Sequence, residues 1–140
     1  MTRSALRSFA AVLTATVVAA SAASFLGCAS YGPAANVAVP DVKSVTGTWK
    51  GTVYRSGFEP ESVALAIHDD GSYDVVLIGS SGTSRGRGKV LVSDGRLLVE
   101  GAKGRGAGTL LRNPTGDLVL NVDMVLDDNS TLTAKLWPSR

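Results

Sequence analysis

The 140-residue chain contains one Cys, one His and two Trp, and aromatic residues make up only 6% of it. A single cysteine excludes a disulfide framework within the chain. One Cys with one His also excludes the zinc sites that are built from several such ligands. Acidic residues are absent from the first 28 positions, and no helical repeat of apolar residues occurs beyond that segment. Because Cys, His and aromatic residues are few, their positions and the distribution of charge along the chain determine which functions are possible.

The net charge of +2 arises at the N-terminus. Arg3 and Arg7 precede position 28, whereas all 12 acidic residues follow it. Residues 28–140 carry 12 basic and 12 acidic side chains, so this part of the chain is neutral overall. We therefore expect no general attraction to nucleic acid.

Residues 1–27 have the organisation of a secretory signal peptide. Arg3 and Arg7 form a basic beginning, residues 8–26 carry no charge, and small side chains crowd the end of this stretch. The stretch is also close to the roughly 20 residues that span a bilayer. A retained transmembrane anchor is therefore the alternative interpretation.

The segment ends in Phe25-Leu26-Gly27-Cys28, which resembles the lipobox of bacterial lipoproteins. The resemblance implies cleavage before Cys28, acylation of Cys28 with chains such as palmitate, and anchorage to a membrane of the cell envelope. Ala29 in place of an aspartate is similar to lipoproteins of the outer membrane. In a Gram-negative source the protein would then face the periplasm or the cell surface.

Residues 28–44 contain Gly32, Pro33 and Pro40 and show no periodicity. This composition is typical of a flexible tether, which would begin at the lipidated Cys28 and lead to a folded domain over residues 45–140. An N-terminal arm packed on that domain is the alternative.

From residue 45 onward, apolar residues recur at every second position between turn signals such as 69–72 and 113–116. The pattern predicts eight strands, at 46–55, 61–68, 73–79, 83–92, 96–101, 104–112, 117–126 and 131–137. Short connections make neighbouring strands antiparallel, and closure of such a sheet removes its two edges. We expect an all-β fold, a small up-and-down antiparallel eight-stranded barrel, with a β-sandwich as the alternative.

Gly47 and Trp49 open the first predicted strand. A Gly-x-Trp at the start of an eight-stranded meander resembles the calycin group of lipocalins, fatty-acid-binding proteins and avidin-like proteins. In lipocalins this Trp lies across the closed end of the barrel. The resemblance implies a protein that binds a small apolar or amphiphilic ligand inside its barrel. The domain is shorter than most lipocalins, and no C-terminal helix is predicted.

Glycines alternate along the fourth and sixth predicted strands, where they favour either sharp curvature or free space inside the barrel. That space would admit a ligand or a large side chain such as Trp49 or Tyr73. The candidate ligand-binding residues are Trp49, Tyr73, Gly86 and Gly88.

Three basic residues, Arg85, Arg87 and Lys89, share one face of the fourth predicted strand, and Arg105 follows two strands later. Such a stripe is a candidate surface for anionic headgroups or acidic proteins. A solvated strand face protected from aggregation is the alternative.

Catalytic and metal chemistry are not predicted. His68 has the opposite parity to the apolar residues of its strand, so we expect it to face outward beside a turn. The acidic residues at 69–70 and 127–128 belong to ordinary turn sequences. We therefore expect no enzyme, cofactor or metal site.

Two functions remain open. The first is a lipid-anchored protein that binds a small apolar or amphiphilic ligand. The second is a protein-interaction or envelope-structural lipoprotein with a filled core, including an inhibitor. The volume of the interior discriminates between them.

Overall fold

The computed structural model describes residues 32–140, so the predicted signal segment and Cys28 lie outside the described residues. The strands are β1 Ala35–Val37, β2 Gly47–Arg55, β3 Glu61–Ile67, β4 Ser72–Gly79, β5 Gly82–Ser93, β6 Arg96–Gly101, β7 Gly104–Arg112, β8 Leu118–Leu126 and β9 Thr131–Pro138. A short 3-10 helix, Val42–Val45, precedes β2. Within residues 32–140, no helix has the length and apolarity needed to cross a bilayer.

Strands β2 to β9 form a closed antiparallel barrel. Each strand pairs with the next in sequence, and β9 pairs with β2 to complete the ring. The prediction of an eight-stranded up-and-down barrel is therefore confirmed, rather than the β-sandwich. All eight predicted strands are present, and their ends differ from the prediction by no more than one residue.

The two ends of the barrel differ. At one end, which we call the closed end, the 3-10 helix lies immediately before β2. Its N-cap Asp41 accepts a hydrogen bond of 2.9 Å from the backbone N–H of Ser44, and Val45 is fully buried. Trp49 is buried at this end, and its indole Nε1 donates to the Val45 carbonyl at 2.8 Å. The other end, where β2 leads to β3 and β8 to β9, is called the mouth below.

The N-terminal segment is part of the folded unit. Strand β1 pairs with β7 from Ala35 opposite Arg112 to Val37 opposite Leu110, beyond the point where β6 stops pairing with β7 at Gly108. The prediction of a flexible tether is therefore wrong over 35–44, and the alternative of a packed arm describes this segment.

Burial of valine side chains explains why residues 35–44 pack on the barrel instead of forming a flexible tether. Val39 is only 1% exposed, and its backbone N–H donates to the Gly95 carbonyl at 2.8 Å. Val37 and Val42 pack against the core, and Val45 belongs to it. Free energy gained by burying these side chains outweighs the turn-forming tendency of Gly32, Pro33 and Pro40.

We predict that Val39→Ala destabilises the protein by about 1–3 kcal/mol, because the substitution removes buried methyl groups and leaves a small cavity. Urea unfolding measures the change. The matched control is Val125→Ala on the outer face of β8, where Val125 is 50% exposed and the expected cost is about 0.5 kcal/mol. Equal effects of the two substitutions would contradict the packing of this arm on the barrel.

Candidate ligand-binding site

The barrel interior contains an apolar cavity of about 100 Å³. Of its sixteen lining residues, Tyr73 is the only one with a polar hydrogen-bonding group. The wall includes Val63, Leu65, Leu97 and Ala134, which alternate with outward-facing residues along their strands. The core is therefore not completely filled.

The cavity is adjacent to the mouth of the barrel. A wider space of about 420 Å³ lies there, and it shares six lining residues with the inner cavity. These residues are Val53, Tyr73, Val75, Leu77, Met124 and Leu132. Because the two spaces have common walls, they are adjacent, with an apolar interior beside a mouth that carries charged residues on its rim.

Tyr73 occupies the space that two glycines provide. A Cβ atom on Gly88 would lie 2.7 Å from the Tyr73 hydroxyl, and one on Gly101 would lie 2.6 Å from it. Gly88 thus makes room for a large side chain, one of the outcomes expected from the sequence. Burial raises the pKa of the Tyr73 phenol, so this group remains neutral at physiological pH.

The four predicted ligand-binding residues occupy different places. Tyr73 borders both the cavity and the mouth, and Gly86 borders the mouth. Gly88 lies behind Tyr73, and Trp49 seals the closed end without lining the cavity. The structure therefore brings Tyr73 and Gly86 to the site and places the other two around it.

Sequence reasoning missed Arg55. It follows Trp49, Gly51 and Val53 at the same parity, so it faces inward at the point where β2 reaches the mouth. Its alternation with the inward residues of β2 was the sequence pattern that could have identified Arg55 as a residue of the mouth.

The Arg55 guanidinium has three recorded contacts. Its Nη2 donates to Asp128 Oδ2 at 2.8 Å and to Ser130 Oγ at 3.0 Å. Its Cζ lies 4.5 Å from the centre of the Phe58 ring. The Nε atom is buried and has no hydrogen-bond partner in the described part of the chain.

Basic side chains outnumber acidic ones around the mouth. The charged residues that line it are Arg55, Arg85, Arg87, Lys103, Glu59 and Glu61. Lys103 and Arg85 form no ion pair with any residue in the range 32–140. Asp128 and Asp74 lie beside Arg55 and Arg87, however, and Glu59 and Glu61 balance Arg85 and Lys103, so the charges at and beside the rim are mixed.

The predicted basic stripe is exposed but carries mixed charge. Arg85, Arg87 and Lys89 lie on the outer face of β5. Asp74 lies opposite Arg87, with 3.8 Å between its Oδ1 and the arginine Nε. Glu100 lies between Lys89 and Arg105 in the strand register.

His68 is exposed at the end of β3, as the sequence predicts, and its Nε2 lies 3.0 Å from Asp74 Oδ2. Within residues 32–140, no group of three or more His, Cys, Asp or Glu side chains is arranged to hold a metal ion.

Two carboxylates of the acidic turns stabilise the turns themselves. Asp70 accepts hydrogen bonds from the Ser72 hydroxyl and backbone N–H, and Asp128 accepts the same pair from Ser130. Those hydrogen bonds hold the pKa of both carboxyl groups below the ordinary value, the hydroxyl contributing most. Asp128 also benefits from the charge of Arg55, so this turn is connected to the mouth.

No protein-family model matches the chain, and no curated protein is significantly similar to it. Among solved structures, the chain is similar to a redesigned beta barrel at 18% sequence identity, with a TM-score of 0.49. The match covers 71% of this chain and 95% of that chain. The fold is established by the strand pairing described above.

We predict that part of the stability is lost in acid because Asp128 becomes protonated. Its pKa is lower in the folded protein, so its contribution is complete above the ordinary value of 3.8 and disappears as the pH falls through the folded value. Urea midpoints of the native protein and of Asp128→Asn should therefore differ at about pH 6 and converge as the pH falls below 3.8 and through the folded pKa. Asp69→Asn is the control for loss of charge, since Asp69 accepts no side-chain hydrogen bond in the described chain. A difference that does not change with pH would contradict this assignment.

Proposed function

We propose that the protein is a non-enzymatic binding protein for a small apolar or amphiphilic ligand. The ligand's apolar part occupies the barrel cavity, and its polar part lies at the mouth. The observation that carries this proposal is an apolar cavity of about 100 Å³ adjacent to a mouth of about 420 Å³ that combines apolar walls with charged residues.

The dimensions limit the ligand. An engineered apolar cavity of about 150 Å³ binds benzene, so the smaller interior here accepts only a narrow group such as the end of an acyl chain. The mouth lies within the range of about 300–1,000 Å³ that is usual for small-molecule sites. An elongated amphiphile with a slender apolar end fits these proportions.

The resemblance to lipocalins supports the same proposal. Trp49 of the Gly-x-Trp motif lies at the closed end, where its indole is hydrogen-bonded to the 3-10 helix. A barrel that is closed at one end and open at the other has a single entrance for its ligand.

The lipobox supports a location at the cell envelope, with Cys28 lipidated and residues 1–27 removed. Strand β1 begins at Ala35, opposite Arg112 at the closed end of the barrel. A membrane anchor that precedes β1 would therefore be connected to the barrel at the end opposite the mouth.

The alternative, a protein-interaction or structural lipoprotein, depends on the basic stripe as a contact surface. Asp74 and Glu100 lie beside that stripe and reduce its net charge. The unfilled interior adds support to ligand binding, which is the function we retain.

We predict that Ala134→Leu weakens ligand binding by at least about tenfold, because Ala134 lines the cavity and a longer side chain would fill it. Titration with octan-1-ol, followed by native mass spectrometry and thermal shift, measures the loss. The matched control is Ala64→Leu on the outer face of β3, which should bind as the native protein does.

Native protein purified from its own cells should also retain a bound amphiphile. Absence of any such ligand, together with no thermal shift across a panel of lipids, would contradict the proposed function.

We predict that the mature protein begins at Cys28 and carries acyl chains there. Cys28→Ser should prevent acylation and move the protein out of the detergent phase. The melting temperature should be preserved, since every strand within residues 32–140 begins at or after Ala35. Intact-mass measurement identifies the processed N-terminus. A Cys28→Ser variant that stays membrane-bound at full length would instead indicate a transmembrane anchor.

A further inference from the structure

Strand β5 extends beyond its neighbour β6 toward the mouth. Residues 82–89 all pair with β4, whereas pairing with β6 begins only at Gly88. The hairpin between β6 and β7 turns back at Gly101, opposite Gly88, so it does not reach further along β5. Residues 82–87 are therefore paired on one side and have no strand on the other within the described range. We call this unpaired side the free edge.

Alternation along β5 determines which backbone groups lie on the free edge. The Val90 N–H donates to the Gly71 carbonyl at 2.7 Å, on the β4 side. Successive residues of a strand direct their N–H and C=O groups to opposite sides, so the even-numbered residues bond to β4. The N–H and C=O groups of Thr83, Arg85 and Arg87 consequently lie on the free edge, where no hydrogen bond from residues 32–140 reaches them.

An unpaired edge of this kind can accept an extended peptide as an additional strand. Residues 82–87 are all exposed, and they extend over about 20 Å at the usual rise of a strand. Ser84 and Gly86 line the mouth from β5, and Lys103 lines it from the opposite turn. A strand added to β5 would therefore lie along the rim of the mouth.

An added antiparallel strand would place its side chains in two rows. Residues opposite Arg85 and Arg87 lie beside them on the outer face, with Cα atoms about 5.5 Å apart. The residues between them lie beside Ser84 and Gly86 and point into the mouth. The walls there include apolar side chains such as Leu77, so apolar residues suit the inner row.

Arg85 determines the charge that suits the outer row. It is exposed, lies opposite Val76 of β4, and forms no ion pair within residues 32–140. The Glu61 carboxylate lies against Gly79, three residues along β4 from Val76, and Asp74 lies beside the other arginine of the edge. An acidic residue directly opposite Arg85 would therefore form a stabilising cross-strand pair, and a basic one would be repelled.

A second copy of this chain fits the free edge poorly. In the antiparallel register that pairs all three edge residues of each copy, Arg85 lies opposite its own counterpart and Arg87 lies opposite Thr83. Like charges directly opposite each other destabilise a strand pair. Ala35 and Ser139 both lie at the closed end, so the ends of the described range are remote from this edge.

We propose that the free edge of β5 binds an extended segment of another protein in which acidic and apolar residues alternate. The segment adds an antiparallel strand to β5. Its acidic residues lie beside Arg85 on the outer face, and its apolar residues enter the mouth. This interaction goes beyond the proposed function, because it requires no ligand in the cavity.

Capped peptides of sequence TVEVEVT and TVKVKVT test the chemistry of the partner. Each is titrated into the full chain in phosphatidylcholine nanodiscs at about 0.15 M salt, where distant charges are screened. We expect the glutamate peptide to bind at least about tenfold more tightly than the lysine peptide.

N-methylation of the peptides tests the backbone pairing. Methyl groups on both glutamate nitrogens remove the N–H groups that face β5, and they should weaken binding at least about tenfold. Methylation of two valine nitrogens is the matched control, because those N–H groups point away from β5. It should change the affinity by less than about threefold.

Arg85→Glu should reverse the preference, so that the lysine peptide becomes the tighter ligand. Lys89→Glu is the matched control, since it makes the same charge change on the same face of β5 at a position where β6 already occupies the edge. This control should retain the preference for the glutamate peptide. A preference that is unchanged in Arg85→Glu, or lost equally in both variants, would overturn the proposal.

Amide hydrogen exchange of the native protein covers the case in which a variant does not fold. Without peptide, the amides of Thr83, Arg85 and Arg87 should exchange faster than those of Ser84 and Gly86, and the glutamate peptide should protect them. Protection without peptide would overturn the proposal. It would indicate a second copy if it grows with protein concentration, and the chain's own terminal segment if it does not.

Failure of the glutamate peptide to bind, or binding without protection of these amides, would also overturn the proposal. Octan-1-ol titration reports on the cavity separately, so these outcomes leave the proposed function intact.

Discussion

The pairing of β2 with β9 is the constraint on which the rest of the structure depends. It joins the first and last strands of the meander through seven residue pairs, from Trp49 opposite Pro138 to Arg55 opposite Leu132. Without this pairing, the sheet would have two long unpaired edges and an exposed apolar face. With it, the inward residues of all eight strands surround a common interior.

Closure of so small a ring requires tight curvature, and glycines permit it. A Cβ atom on Gly51 would collide with the Lys135 backbone, and one on Gly106 would collide with the Asp123 backbone. Both glycines are inward residues at places where the neighbouring strand comes very close. Gly88 serves two purposes, because a Cβ atom there would collide with the Glu100 backbone and with Tyr73, whereas Gly101 makes room for the Tyr73 hydroxyl. Glycine placement therefore determines both the curvature of the wall and the space that remains inside it.

The strands could be predicted from the sequence because alternation and turn residues act locally. Sequences such as Ser93-Asp94-Gly95, in which Asp94 and Gly95 adopt positive φ, mark a reversal without reference to the rest of the chain. The three-residue β1 could not be predicted in this way. Its pairing depends on the length by which β7 extends beyond β6, which is a property of the assembled sheet.

The cavity was beyond prediction for a related reason, because its volume depends on the register that sets which inward side chains face one another. The inward orientation of Arg55 could have been predicted from the sequence. Its inward parity at the end of β2 follows directly from the positions of Trp49 and Val53. Its unpartnered Nε was not predictable, since the occupied Nη2 depends on a turn 73 residues away.

The unfilled interior also bears on stability. An apolar cavity of about 100 Å³ lowers the stability of a folded protein by about 2 kcal/mol relative to a filled core. A larger side chain at Ala134 that fits the cavity would reduce that loss, because the cost of a cavity rises with its volume. The closed end shows tight packing in the same molecule, where Val45, Leu120 and Leu136 are almost fully buried. Leu120 and Leu136 also line the cavity, so the free volume lies directly against this tightly buried part of the core.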